Sequence, residues 1–143
     1  MASVTVTADV SASPDALWAV LSDPSRNSEW LQMHQGFVGE APAGFTAGQS
    51  FGQKVKVLGM PADVTWTVRD VDPAHRLHLS GTGPMGIGLA ATYLVEPAGD
   101  GSKVSVTMDF SGGAVMMVGS QLESEVGASL RASMEKLKAL VGA

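Results

Sequence analysis

The sequence has no cysteine, and only 16% of its 143 residues are charged. Without cysteine the chain has no disulfide, no thiol nucleophile and no thiolate metal ligand. Its nine lysines and arginines are scattered and are outnumbered by fourteen acidic residues, which gives a net charge of −5. Binding to nucleic acid or to an anionic membrane surface calls for a basic patch. We therefore expect neither of these partners.

Long apolar runs are also missing. No stretch reaches the roughly 18–20 apolar residues that cross a bilayer, so we expect no stable membrane insertion. The first residues, Met1 to Thr5, have neither the basic nor the apolar part of a signal peptide, which favours a cytoplasmic protein. The length fits one domain over residues 1–143, and a hydrophobic fraction of 45% can fill a core.

Alternation of apolar and polar residues predicts strands over much of the chain. The first strand carries Val4, Val6, Ala8 and Val10 on one face. A hairpin is predicted from residues 51–58 and 62–71 around the turn Gly59-Met60-Pro61. Three further strands follow, around residues 77–80, 86–96 and 104–110. Together they predict an antiparallel meander with one solvent-exposed face and one buried, apolar face.

Helix signals stand near both ends of the chain. Ser13 as N-cap and Pro14 at the first helical position predict a short helix to about Leu21. A second short helix is predicted over residues 25–34, followed by a short strand at 37–38 in a glycine-rich mobile loop over 36–50. Near the C-terminus, apolar residues recur every three or four positions and predict a helix of about 28 residues that packs on the sheet. This stripe consists of Leu122, Val126, Leu130, Met134, Leu137 and Val141.

Residues 81–86 spell the pattern G-x-G-x-x-G, which in dinucleotide-binding proteins begins a helix that holds a pyrophosphate. Here the residues that follow, Ile87 to Val95, have the composition of a strand. We therefore interpret the glycines as a hairpin loop. The three histidines have no carboxylate at ligand spacing, so we expect no metal site and no cofactor.

The segment Val10 to Pro24, together with Glu29-Trp30-Leu31 and the amphipathic C-terminal helix, resembles the START-like superfamily of polyketide cyclase/dehydrase and lipid-transport proteins. The resemblance implies an α+β helix-grip fold: a curved antiparallel sheet of six to seven strands around the long C-terminal helix, with two short helices after the first strand. It also implies a hydrophobic cavity between sheet and helix. Two further segments, residues 59–68 and 79–83, resemble an actinobacterial subgroup that includes toxins of type II toxin–antitoxin pairs.

Apolar residues on the buried face are the candidates for the cavity wall, and methionines suit a wall that adapts to different guests. Gln53, Tyr93 and His34 are the polar candidates for orienting a ligand. The predicted ligand-binding residues are Trp30, Met33, His34, Phe37, Gln53, Val55, Val57, Met60, Trp66, Leu79, Tyr93, Met108, Phe110 and Met117.

Three functions remain open on this reasoning. The first is a binding protein that sequesters a lipid-like or polyketide-like molecule. The second is a cyclase or aromatase in which His34 or Tyr93 acts as acid or base. The third is a toxin that acts through a protein partner such as an antitoxin. Met116 and Met117 cannot both face the sheet, so they are candidates for a portal rim or a homodimer contact.

Overall fold

The computed structural model describes residues 2–40, 42–57, 59–113 and 115–141, and for Met116 it describes the backbone only. Short 3₁₀ turns lie at Pro24–Arg26 and Pro84–Gly86. The order of elements confirms the predicted α+β class. These elements are β1 (Ala2–Val10), α1 (Pro14–Leu21), α2 (Asn27–Trp30), β2 (His34–Val38), β3 (Ser50–Val57), β4 (Met60–Asp72), β5 (Arg76–Thr82), β6 (Gly88–Ala98), β7 (Gly101–Ser111) and α3 (Val115–Val141).

The seven strands form one sheet in the order β1-β7-β6-β5-β4-β3-β2, and every neighbouring pair is antiparallel. The sheet curls into a half-barrel, and α3 lies along its inner side, mostly against β1. The chain crosses from the β1 edge to the β2 edge through α1 and α2. This is the helix-grip arrangement that the resemblance implies, and it is confirmed.

The apolar stripe of α3 is buried as predicted from Leu122 to Leu137, while Val141 is half-buried. The backbone N–H of Ser3 donates to a carboxylate oxygen of Glu123 at 3.0 Å, which ties the edge strand β1 to this helix. None of the described helices is long and apolar enough to cross a membrane.

The start of α1 follows the predicted capping pattern. The Ser13 hydroxyl accepts a hydrogen bond from the backbone N–H of Ala16 at 3.2 Å, and Pro14 occupies the first turn. This satisfies one of the N–H groups that a helix leaves without a partner at its start. Leu17 and Leu21 then point into the core.

The predicted second helix over 25–34 is wrong in length. After the 3₁₀ turn, α2 covers only Asn27–Trp30, and Leu31 has left the helical region at φ −80° and ψ 104°. Leu31 and Met33 are buried while Gln32 between them is exposed. The chain turns here, because the backbone N–H of His34 donates to the Leu31 carbonyl at 3.1 Å. His34 therefore begins β2 and does not share a helix face with Trp30.

The hairpin between β3 and β4 turns more tightly than predicted. Val57 pairs with Met60, so Met60 and Pro61 belong to β4, and Leu58 lies outside the described residues. Gly59 adopts φ +74°, a conformation that favours glycine and lets the chain reverse over two residues. The predicted short strand at 37–38 is part of β2.

The glycine-rich segment 81–86 contains no nucleotide-binding helix. It ends β5, passes through the 3₁₀ turn and leads into β6. Gly81 has a structural task, because a Cβ at this position would lie 2.7 Å from Cε3 of Trp66. The indole of Trp66 thus packs directly on the backbone of the neighbouring strand.

Candidate functional site

A small cavity lies between the inner face of β3–β7 and the segment that runs from the end of α1 to Met33. Its volume is about 30 Å³, which is room for about one water molecule. Its lining residues are Leu21, Asn27, Trp30, Leu31, Met33, Phe45, Phe51, Gln53, Trp66, Leu77, Leu79, Ala91, Tyr93 and Met108.

The connection between β2 and β3 supplies one side chain to this cavity. Phe45 is half-buried and lies 5.8 Å from Phe51, measured between ring centroids. The end of the connection is bound to β4, because Gly48 N–H donates to the Val68 carbonyl and Val68 N–H donates to Gln49, both at 2.8 Å. Phe45 therefore lies in the cavity wall on an irregular segment, whereas the opposite wall consists of paired strands.

The cavity does not lie where the resemblance placed it. We expected it between the sheet and the C-terminal helix, but no described residue of α3 lines it. The buried stripe of α3 is already packed against β1 and against the α1–α2 segment. The space that remains lies farther along the curved sheet, under α2 and Phe45.

Half of the predicted ligand-binding residues border this cavity, and whether they bind a ligand stays a prediction. They come from α2, from the turn after it and from the five strands β3 to β7. These seven are Trp30, Met33, Gln53, Trp66, Leu79, Tyr93 and Met108.

The other seven predicted residues lie elsewhere. Val55 and Phe110 are buried in the core, while Phe37 and Val57 are half-buried. His34 lies behind Gln53. Met60 and Met117 do not border this cavity and are 67% and 88% exposed, so their part in ligand binding stays a prediction. Met60 adjoins the two-residue turn, and Met117 lies on the solvent side of the first turn of α3.

Seven lining residues were not predicted: Leu21, Asn27, Leu31, Phe45, Phe51, Leu77 and Ala91. Strand parity could have identified three of them. Phe51 shares a face with Gln53, Leu77 with Leu79, and Ala91 with Tyr93. Phe45 and Asn27 lie on irregular or very short segments, where no periodicity reports which way a side chain faces.

A chain of hydrogen bonds leads away from the cavity through a buried amide. Nε1–H of Trp66 donates to Oε1 of Gln53 at 2.9 Å, and Nε2 of Gln53 lies 2.7 Å from Nδ1 of His34. Because the indole occupies the amide oxygen, the amide nitrogen must be the donor to His34. Nδ1 is then the acceptor, which assigns the proton of the neutral imidazole to Nε2. The ring of His34 also contacts Phe37 edge-on, with centroids 4.9 Å apart.

This arrangement makes the stability of the fold depend on pH. Burial lowers the pKa of His34 below its ordinary value of 6.5, and a proton on Nδ1 would face an amide donor. A group whose pKa is lower in the folded state binds more protons when unfolded, so stability rises with pH through that interval. The contribution of His34 to the free energy of unfolding should be complete above about pH 6.5, the ordinary pKa of histidine. It should decrease as the pH falls from there toward the lowered pKa of the folded state.

Urea unfolding of the wild type and of His34→Gln between pH 7.5 and 5 measures this effect. Glutamine keeps an acceptor for Gln53 but does not titrate, so the decrease should shrink in this variant. His78→Gln is the matched control, because His78 hydrogen-bonds Thr92 on the outer face of the sheet. An unchanged pH dependence in His34→Gln would contradict the assignment.

Two further polar groups border the cavity. Trp30 and Tyr93 meet edge-on, with ring centroids 6.4 Å apart. Among the described residues, Nε1 of Trp30 is the only buried side-chain nitrogen or oxygen without a hydrogen-bond partner. Such an unmet donor costs about 1–3 kcal/mol. Burial raises the pKa of Tyr93 to about 12, so its hydroxyl stays protonated at neutral pH.

The chemical character of the cavity is apolar and uncharged. None of its described lining residues is Asp, Glu, Lys, Arg or His. No three His, Asp or Glu side chains lie close enough together to hold a metal ion in the part of the chain that the structure describes. The arrangement therefore presents apolar surface and a buried indole N–H, but no charged group, to the cavity.

Comparison with known proteins agrees with this architecture. The family model described as "Polyketide cyclase / dehydrase and lipid transport" matches residues 1–142. The uncharacterized protein Rv1546 of Mycobacterium tuberculosis is 32% identical over 143 residues, which cover 99% of this chain and 100% of the relative. The toxin Rv0910 of the same organism is 29% identical over 136 residues, covering 92% of this chain and 94% of the relative.

Among solved structures, the protein CV1439 of Chromobacterium violaceum has a similar fold. It superposes with a TM-score of 0.77 at 16% identity, and the match covers 100% of this chain and 99% of that one. At this identity the likeness establishes the fold alone.

Proposed function

The chain belongs to the polyketide cyclase/dehydrase and lipid transport family, and we propose that it binds a small hydrophobic molecule in the cavity under Phe45 without converting it. The observation that carries this proposal is the uncharged cavity lined by Trp30, Trp66, Tyr93 and other apolar side chains. Burial of apolar ligand surface provides roughly 25 cal/mol per Å². The buried N–H and hydroxyl groups would orient the guest.

Binding requires the cavity to open. Sites for small molecules measure about 300–1,000 Å³, against about 30 Å³ here. Phe45 is the wall residue best placed to move, because residues 42–49 around it have no regular secondary structure and a Cβ added at the neighbouring Gly44 would meet no atom within 4 Å. Met33 and Met108 can change rotamers to follow the shape of a guest.

A reaction is not part of this proposal, and the geometry of the two acid–base candidates is the reason. Tyr93, with its pKa of about 12, is a poor base at neutral pH. His34 does not border the cavity, and its Nδ1 is occupied by Gln53. No base is therefore presented to a guest, whereas a general base must come within hydrogen-bond reach of the proton that it removes.

Native mass spectrometry of the protein purified from its own host tests the proposal directly. A reproducible adduct with a mass of a few hundred daltons, absent under denaturing conditions, is the expected result. An adduct-free protein that also fails to bind the neutral fluorescent probe N-phenyl-1-naphthylamine would contradict it.

A variant that fills the cavity tests whether this cavity is the binding site. Ala91 is 2% exposed and lines the cavity, while its neighbour Ala90 lies on the outer face of the same strand. Ala91→Val adds two methyl groups where the guest must fit, and one surplus methylene in a hydrophobic pocket changes affinity by about tenfold or more. We expect Ala91→Val to weaken binding of the probe at least about tenfold and Ala90→Val to leave it unchanged. Thermal unfolding of both variants checks their folding, and equal affinities would exclude this cavity as the site.

A toxin role that acts through a protein partner is the second candidate. The likeness to Rv0910 favours it, as do three exposed methionines at one end of the sheet. Met60, Met85 and Met117 are 67%, 85% and 88% exposed. Met60 begins β4 after the β3–β4 turn, Met85 lies within the β5–β6 connection, and Met117 lies in the first turn of α3 after β7. Methionine is common at adaptable binding surfaces. The mass measurement separates the two candidates, since a protein partner would add several kilodaltons instead of a small adduct.

A further inference from the structure

The buried indole of Trp30 is the starting point for identifying the class of ligand. Its side chain borders the cavity and the residue is only 1% exposed, yet its N–H has no acceptor among the described residues. Buried polar groups in proteins are nearly always hydrogen-bonded. A guest that enlarges the cavity beside this ring can supply the missing acceptor.

The neighbouring polar groups favour an acceptor in the guest as well. Tyr93 contacts Trp30 edge-on, and its buried hydroxyl is a neutral donor at physiological pH. The carbonyl oxygen of Gln53 is already occupied by Trp66, so this amide offers a guest little accepting capacity. Asn27 also lines the cavity with an amide that can both donate and accept, so the indole N–H of Trp30 is the one buried side-chain group among the described residues that still needs a partner.

Charge argues against an ionised guest. No cationic side chain is present among the described lining residues. A carboxylate that leaves water without a cation or several hydrogen bonds is strongly disfavoured. A fatty acid or another organic anion would therefore bind only with its charged group outside the cavity.

Resting on the proposed function, we infer that the ligand is a neutral, largely apolar molecule with a hydrogen-bond acceptor, and that Nε1–H of Trp30 binds this acceptor. The inference separates molecules with a neutral acceptor, such as ketones, from hydrocarbons of equal size and from the corresponding anions. It assigns Trp30 as the residue that determines this preference.

Three probes with the same number of heavy atoms test the inference: 2-acetylnaphthalene, 2-isopropylnaphthalene and 2-naphthoate. Equilibrium dialysis measures their affinities for the wild type, for Trp30→Phe and for Trp18→Phe. Trp30→Phe keeps an apolar ring but loses the donor. Trp18 is the matched control, because it is half-buried on α1 and does not line the cavity.

We expect the wild type to bind the ketone best and the carboxylate least. The ratio of ketone to hydrocarbon affinity should fall about threefold to tenfold in Trp30→Phe, which is the range for one neutral hydrogen bond, and should not change in Trp18→Phe. Equal affinities of ketone and hydrocarbon in the wild type, or preferred binding of the carboxylate, would overturn the inference while leaving the proposed cavity intact. Because these affinities are compared in the wild type, the result does not depend on the folding of a variant. Failure of all three probes to bind would instead overturn the proposed function, and the inference with it.

Discussion

Replacing Leu130 by alanine is expected to lower the free energy of unfolding by about 3 kcal/mol. Leu130 is fully buried in the middle of the α3 stripe. Its truncation removes apolar contacts with the sheet and leaves a void, and substitutions of this kind cost about 2–5 kcal/mol. Because α3 holds the curved sheet from inside, we also expect one cooperative transition at lower urea concentration and not the separate loss of a helix.

Leu94→Ala is the matched control for this prediction. Leu94 is 38% exposed on β6, so the same truncation should cost less than about 1 kcal/mol. Urea unfolding followed by circular dichroism measures both variants. Equal slopes of the free energy of unfolding against urea concentration would show that both variants expose the same amount of surface when they unfold. Equal losses in the two variants would mean that α3 does not form the core of the domain.

The stripe of α3 also shows why parts of this fold can be predicted from sequence. Leu122, Val126 and Leu130 recur at four-residue spacing, which only a helix places on one face. The same periodicity continues to Leu137, so this helix can be predicted from its own residues without knowing which residues it packs against. The strands can be predicted from sequence equally well. Val64, Trp66 and Val68, for example, alternate with polar residues over a long run.

The second helix could not be read in this way, because its local pattern is ambiguous. Trp30, Leu31 and Met33 fit a short helix as well as a turn followed by extended chain. Burial decides between the two, and burial of Leu31 and Met33 depends on the strands β3–β6, which follow in the sequence. Propensity is a weak guide wherever tertiary contacts of this kind decide the backbone.

The location of the cavity depends on packing, which strand parity does not report. Parity places Gln53, Trp66 and Tyr93 on the inner face, and they do line the cavity. It places Val55 there too, but this residue is packed in the core away from the cavity. Whether an inward residue borders empty space is set by the size of its neighbours and by segments such as that of Phe45. For this reason the residues were predicted better than the space between them.

Replacing Trp66 by alanine is expected to have the largest effect on stability at the cavity itself. The indole is 4% exposed and donates to Gln53. Its loss should lower the free energy of unfolding by about 3–5 kcal/mol, the range for truncating large buried aromatic residues. Trp18→Ala is the matched control, and the half-buried position of Trp18 should make its cost clearly smaller.

The space left by Trp66 should remain open and bind a replacement ring. Gly81, on which the indole packs, has no side chain that could collapse into the void. Apolar voids of this size in proteins stay empty and bind small aromatic molecules. Added indole should therefore raise the melting temperature of Trp66→Ala, because a ligand that binds only the folded state stabilises it in proportion to its occupancy.

Indene, which has the shape of indole without the N–H, distinguishes the two contributions of Trp66. If Oε1 of Gln53 needs a donor, indole should stabilise Trp66→Ala more than indene does at equal concentration. The wild type should respond far less to either compound, because its cavity of about 30 Å³ must first open. Equal rescue by the two compounds would mean that the ring volume, and not the hydrogen bond to Gln53, is what Trp66 contributes. No rescue at all would mean that the wall collapses around the void, so that the cavity beside Trp66 is shaped by mobile side chains and not by the sheet.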